Sequence, residues 1–87
     1  MMRNMIIERV NKAILAEFDV AEEDLSPEAK LGDDLDLDSL DGIDLVVAIE
    51  KEFKEVSVKV GEQAARNLQT LDDIYNYVEA YLKKAAE

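Results

Sequence analysis

This sequence predicts an all-α fold: a four-helix bundle with a long connection between its first and second helices and a short third helix. Apolar residues recur at three-to-four spacing in three well-separated segments, the period of an amphipathic helix. Only three Gly and one Pro interrupt 87 residues, and the one stretch of strict alternation has no partner strand to pair with. The length suits a single domain spanning residues 1–87. Burial in so small a core is nearly cancelled by conformational entropy, so a marginal domain that opens easily is expected.

The first helix is expected near residues 4–18, where Ile6, Ile7, Val10, Ala13, Ile14 and Phe18 share a face and Asn4 is a candidate N-cap. Residues 19–37 follow as a long connection that Leu25, Leu31, Leu35 and Leu37 can pin, with a short helical turn expected at Ser26-Pro27-Glu28. A second helix is predicted over 38–54, with Asp38 as N-cap and Asp41 closing an acidic capping box. Val56, Val58 and Val60 alternate, but as a lone run they are assigned to extended loop, followed by a short helix over 61–68. The last helix, near 70–84, has Thr70 as cap, Asp72 and Asp73 in its first turn, and Lys83 and Lys84 in its last, all suited to the helix dipole. Its core stripe is Leu71, Ile74, Tyr75, Val78 and Leu82.

Composition narrows function by exclusion. With no Cys and no His, disulfides, zinc sites and thiol or imidazole catalysts are absent, which removes most enzyme chemistry at neutral pH. A net charge of −11 argues against nucleic acid and for basic protein partners. No Lys or Arg falls between Lys30 and Lys51, while Asp33, Asp34, Asp36, Asp38, Asp41, Asp44 and Glu50 do. Asp34, Asp36 and Asp38 match the first ligand spacings of an EF-hand. Ser39 stands where that loop needs Gly and Leu45 where it needs Glu, so no metal site is expected. The N-terminus lacks a secretory pattern and no apolar run reaches the ~20 residues of a membrane span. A soluble cytoplasmic monomer without membrane insertion is therefore expected.

At about 100° per residue, the second helix carries two apolar arcs. Gly42, Leu45, Val46, Ile49 and Phe53 should face the core, whereas Leu40, Ile43 and Val47 fall on another arc beside Asp44 and Lys51. Apolar anchors rimmed by carboxylates describe a protein-docking surface, assigned here to Asp41, Ile43, Asp44, Val47 and Glu50.

The segment Asp38-Ser39-Leu40-Asp41, running through Ile43-Asp44-Leu45-Val46-Val47-Ala48-Ile49-Glu50 to Phe53, resembles the acyl carrier family. That family's signature is Asp-Ser-Leu at the start of the second helix, followed by an acidic, aliphatic helix. The similarity extends from Glu8-Arg9-Val10 to the Tyr-containing last helix. It implies that Ser39, flanked by Asp38 and Leu40, receives covalent 4'-phosphopantetheine from coenzyme A through a separate phosphopantetheinyl transferase (holo-carrier synthase). It further implies a non-enzymatic carrier that holds acyl groups as thioesters for ketoacyl synthases, acyltransferases and related enzymes. A Ser in the first helical turn should project into solvent with free backbone N–H groups nearby for a phosphodiester. Lacking a base of its own, it needs an enzyme to activate it.

Some residues depart from the fatty-acid carriers. Asp34-Leu35-Asp36-Leu37 replaces the usual Asp-Leu-Gly-Ala, Lys51 stands where a Glu is common, and the longer stretch after Phe53 carries Lys54, Lys59 and Arg66. Fatty-acid and specialised acyl pathways both stay open, as does a peptidyl or aminoacyl carrier. An acidic helical adaptor without a prosthetic group is the reading from a different class.

Overall fold

A computed structural model describes residues 2–86, apart from the side chains of residues 39, 62, 85 and 86. Four α-helices appear in order: α1 (Met2–Glu17), α2 (Ser39–Glu52), α3 (Glu62–Arg66) and α4 (Leu71–Ala86). Short 3-10 turns occupy Glu22–Asp24 and Lys54–Val56, and there is no strand among the described residues. The all-α architecture, the long first connection and the short third helix are those expected.

The inner stripes of the helices converge as their spacing requires. Ile6, Val10 and Ile14 of α1 meet Leu45 and Ile49 of α2, Phe53 just beyond it, and Leu71, Ile74, Tyr75 and Val78 of α4 in a buried cluster. Leu82 packs at its margin. α1 is the hub, lying against both α2 and α4. Two arginines of α1 fasten it. Arg3 reaches Asp72 at 2.6 Å and Asn76 at 2.9 Å on α4, with its guanidinium 5.6 Å from the Tyr75 ring centre. Arg9 lies 4.5 Å over the Phe53 ring, pairs with Glu52 at 3.3 Å and Glu55 at 2.6 Å, and donates to the Glu52 carbonyl. The Tyr75 hydroxyl donates to Asn11 Oδ1 at 2.6 Å, and burial pushes the pKa of that phenol up.

Several boundaries differ from the sequence reading, each for a local reason. Asn4 is inside α1 rather than its cap, because the helix already runs at Met2 and Arg3 is anchored to α4. Phe18 follows the last helical residue, its amide still donating to the Ile14 carbonyl at 2.8 Å. The helical turn expected at Ser26-Pro27-Glu28 lies instead at Glu22–Asp24; Ser26 accepts from Ala29 in a single tight turn around Pro27 and Glu28. α3 is shorter than the expected 61–68, with Gly61 as its N-cap and Asn67 ending it. Val56 is not in register with Val58 and Val60. It closes a 3-10 turn and is 38% exposed, then Ser57 at φ 56° reverses the chain and buries the next two valines.

The long first connection is held by backbone bonds as well as by its leucines. Lys30 bridges to Thr70, the Leu31 amide donates to the Gln69 carbonyl at 2.9 Å, and the Leu71 and Asp72 amides donate to the Ala29 and Pro27 carbonyls. This ties the loop to the start of α4, whose own cap is reciprocal. Thr70 Oγ1 accepts from the Asp73 amide, and Asp73 Oδ2 accepts from the Thr70 amide. Leu35 is buried while Leu25, Leu31 and Leu37 are half-buried, so the loop arrives at α2 in a fixed position.

Candidate functional site

The start of α2 is defined by its capping residues. Asp38 is in an extended conformation, and its Oδ1 accepts from the amides of Leu40 at 3.0 Å and Asp41 at 2.9 Å. Asp41 Oδ2 accepts in return from the Asp38 amide at 3.1 Å, completing the capping box that the spacing predicted. The segment before it is closed by a bond from the Leu37 amide to the Leu31 carbonyl at 2.9 Å. Between those residues Asp36 takes a left-handed conformation at φ 57°, which for a non-glycine residue needs a surrounding framework to hold it.

Ser39 is the first residue of α2, so its backbone is fixed by this box. The expectation that its side chain projects into solvent lies outside the described residues. The expectation of free N–H groups beside it is corrected. The Leu40 and Asp41 amides are taken by Asp38 Oδ1 and the Gly42 amide by the Asp38 carbonyl, leaving the first turn little to offer an anion. Neither Asp38 nor Asp41 is an idle base, since each accepts a backbone hydrogen bond as part of the cap.

Two clefts open beside this helix start. One, of about 430 Å³, runs between the first connection and α2, lined by Lys30, Gly32, Leu37, Asp38, Gly42 and Leu45 among others. The second, of about 690 Å³, lies between α2 and the chain around α3, with Gly42, Ile43, Val46, Val47, Val60, Ala65 and the charged Arg66 in its wall. Gly42 borders both. Apart from its chain neighbours and the backbone of its own helix, no heavy atom lies within 4 Å of where a Cβ would stand on it, so it faces open space rather than the packed core to which its arc assigned it. A glycine inside a helix costs about 1 kcal/mol relative to alanine, and that cost was the signal for this opening.

The outer arc of α2 is as the periodicity predicts. Leu40 is 73% exposed, Ile43 62% and Val47 42%, while Leu45 and Ile49 on the inner arc are 3% and 1% exposed. Val46 is half-buried, between the arcs, where it helps line the second cleft. The acidic residues assigned to this surface separate into two kinds. Asp44 is exposed and makes no hydrogen bond or ion pair with any described residue. Glu50 is half-buried and its Oε2 accepts from the Val60 amide at 2.9 Å, anchoring the connection to α3; Asp41 is in the capping box. Among the described residues, no group of three or more carboxylates is arranged to hold a metal ion.

No helix of the structure is long and apolar enough to cross a membrane. The family model described as "Phosphopantetheine attachment site" matches residues 8–78, a span that runs from the middle of α1 to the middle of α4 and includes both clefts.

Proposed function

The chain belongs to the phosphopantetheine attachment family of carrier domains, and on that premise we propose that Ser39 is the attachment residue, flanked by Asp38 and Leu40. The prosthetic group of the family is covalent 4'-phosphopantetheine, whose terminal thiol, when bound, holds a cargo as a thioester. Ser39 is supported by its position. It opens α2 within the capping box, between Asp38 and Asp41, three residues before Gly42, which borders both clefts. These residues fit the group: a serine for the phosphodiester and, one helical turn on, an open groove with a mostly apolar wall for a flexible arm.

Attachment would form a bond from Ser39 Oγ to the β-phosphorus of coenzyme A and break its pyrophosphate linkage, releasing adenosine 3',5'-bisphosphate. The serine proton in this reading goes to a base on the modifying transferase, since this chain has no His or Cys and the flanking carboxylates of Asp38 and Asp41 are committed to capping. In this reading the chain is one carrier domain, not an enzyme. It delivers acyl groups to enzymes of fatty-acid or specialised acyl biosynthesis, which dock on Leu40, Ile43 and Val47. Asp44 is the free carboxylate on that surface; Asp41 and Glu50 hold backbone in place beside it.

Mass spectrometry after coexpression with a phosphopantetheinyl transferase tests the assignment. One phosphopantetheine should be added, and Ser39→Ala should abolish the addition with helix content unchanged. The chain offers two other serines, and modification at Ser26 or Ser57 would refute the site.

A further inference from the structure

α2 is acidic in sequence, but its outer surface is not uniformly so once each charge is followed to its partner. Its charged residues are Asp41, Asp44, Glu50, Lys51 and Glu52. Asp41 is in the capping box, Glu50 accepts from the Val60 amide, and Glu52 pairs with Arg9 of α1. Two charges remain uncommitted. Asp44 and Lys51 are both exposed, and neither makes a hydrogen bond or ion pair with any described residue.

These two charges share a stripe with the apolar anchors. At about 100° per residue, Leu40, Ile43, Asp44, Val47 and Lys51 fall within an arc of roughly 100°. Seven residues at about 1.5 Å rise place Asp44 and Lys51 about 10 Å apart along the axis, too far to neutralise one another. The stripe is thus polarised: a free carboxylate towards Ser39, Val47 in the middle, and a free ammonium towards the C-terminal end. Glu55, four residues on and beyond the end of the helix, pairs with Arg9 of α1 at 2.6 Å.

We propose that Lys51 determines partner specificity: the stripe fits enzymes whose docking surface presents a cation towards Asp44 and a carboxylate towards Lys51, and it disfavours enzymes that are basic along the whole contact. This rests on the reading of α2 as the docking surface. The physical reason is complementarity at a rim, where a like charge facing Lys51 slows encounter and an opposite one steers it. A purely structural role for Lys51, completing the helix dipole in the last turn, would affect stability and leave recognition unaltered.

The test uses the full apo chain and, as probe, a phosphopantetheinyl transferase whose carrier-facing surface is uniformly basic. Lys51→Glu should raise kcat/KM for modification about threefold to tenfold at low salt, with Lys51→Gln in between and the gain shrinking at moderate salt. Asp44→Lys should lower it by a similar factor. Melting curves establish that each variant is folded. If Asp44→Lys slows modification but Lys51→Glu gives no gain, the specificity role is overturned and the docking surface stands. If neither variant alters rate or salt dependence, both are overturned for this class of enzyme.

Discussion

Ile49 and Ile43 share a helix and a side chain, yet Ile49 is 1% exposed in the core cluster and Ile43 is 62% exposed. The difference between the two faces of α2 extends to their charges. Facing inward, Arg9 covers Phe53 and gathers Glu52 and Glu55, while Glu50 holds the Val60 amide. Facing outward, Leu40, Ile43 and Val47 are exposed, and Asp44 and Lys51 make no hydrogen bond or ion pair with any described residue. The inner face shows what stability requires of this helix, and the outer face retains aliphatic side chains that stability does not need. A surface of that kind is what the proposed docking of partner enzymes would use.

The largest expected effect separates the faces with one chemical change. Ile49→Ala should destabilise the fold by about 2–5 kcal/mol, the cost of a cavity in a packed core. Ile43→Ala should alter stability by no more than about 0.5 kcal/mol, as for an exposed site, but should slow modification of Ser39 by the transferase. Denaturant melts and transferase kinetics on the same two proteins measure both. Equal losses of stability would show that the outer face is packed after all.

A smaller effect is expected at the helix start. Asp38→Ala removes the acceptor for two amides and should cost about 1 kcal/mol, because the Leu40 and Asp41 amides must then turn to water. Asp38→Asn keeps an acceptor oxygen and should recover most of it in thermal melts. If alanine and wild type melted together, the capping box would have no hold on the position of Ser39.

What was legible in the sequence follows from the range of the interactions involved. The capping box and the two arcs of α2 are set by residues within a few positions of one another, so Asp38, Asp41 and the split between Ile49 and Ile43 could be read directly. The bridge between Lys30 and Thr70, the Arg9–Phe53 contact and the bond from the Val60 amide to Glu50 join distant segments, and no periodicity announces them. That is why Glu50 read as a docking carboxylate. The displaced turn at Glu22–Asp24 has a similar cause: Pro27 marks a turn, but its carbonyl accepts from the Asp72 amide, and α4 thereby fixes the chain there. Gly42 was assigned to the core by its angle; the clefts on either side show it to be an opening, and the cost of a glycine within a helix was the one local signal of it.

The smallest effect concerns Glu55, at the end where the two faces meet. Its side chain hydrogen-bonds Arg9 at 2.6 Å, and that bond holds its carboxyl below the usual glutamate range. Folding therefore lowers this pKa, so the pair adds stability above the ordinary glutamate pKa and loses it as pH falls through the lowered value. Glu55 is well exposed and solvent screens the interaction, so the contribution to global stability should be slight and is best followed at the residue itself. NMR titration of the Glu55 side-chain carboxyl carbon should give a pKa below that of an unstructured glutamate. Arg9→Lys, which keeps the charge but loses the planar guanidinium that reaches Glu52, Glu55 and the Phe53 ring together, should move it back towards the ordinary value. An ordinary pKa in the wild-type protein would mean that Arg9 does not hold Glu55 in solution.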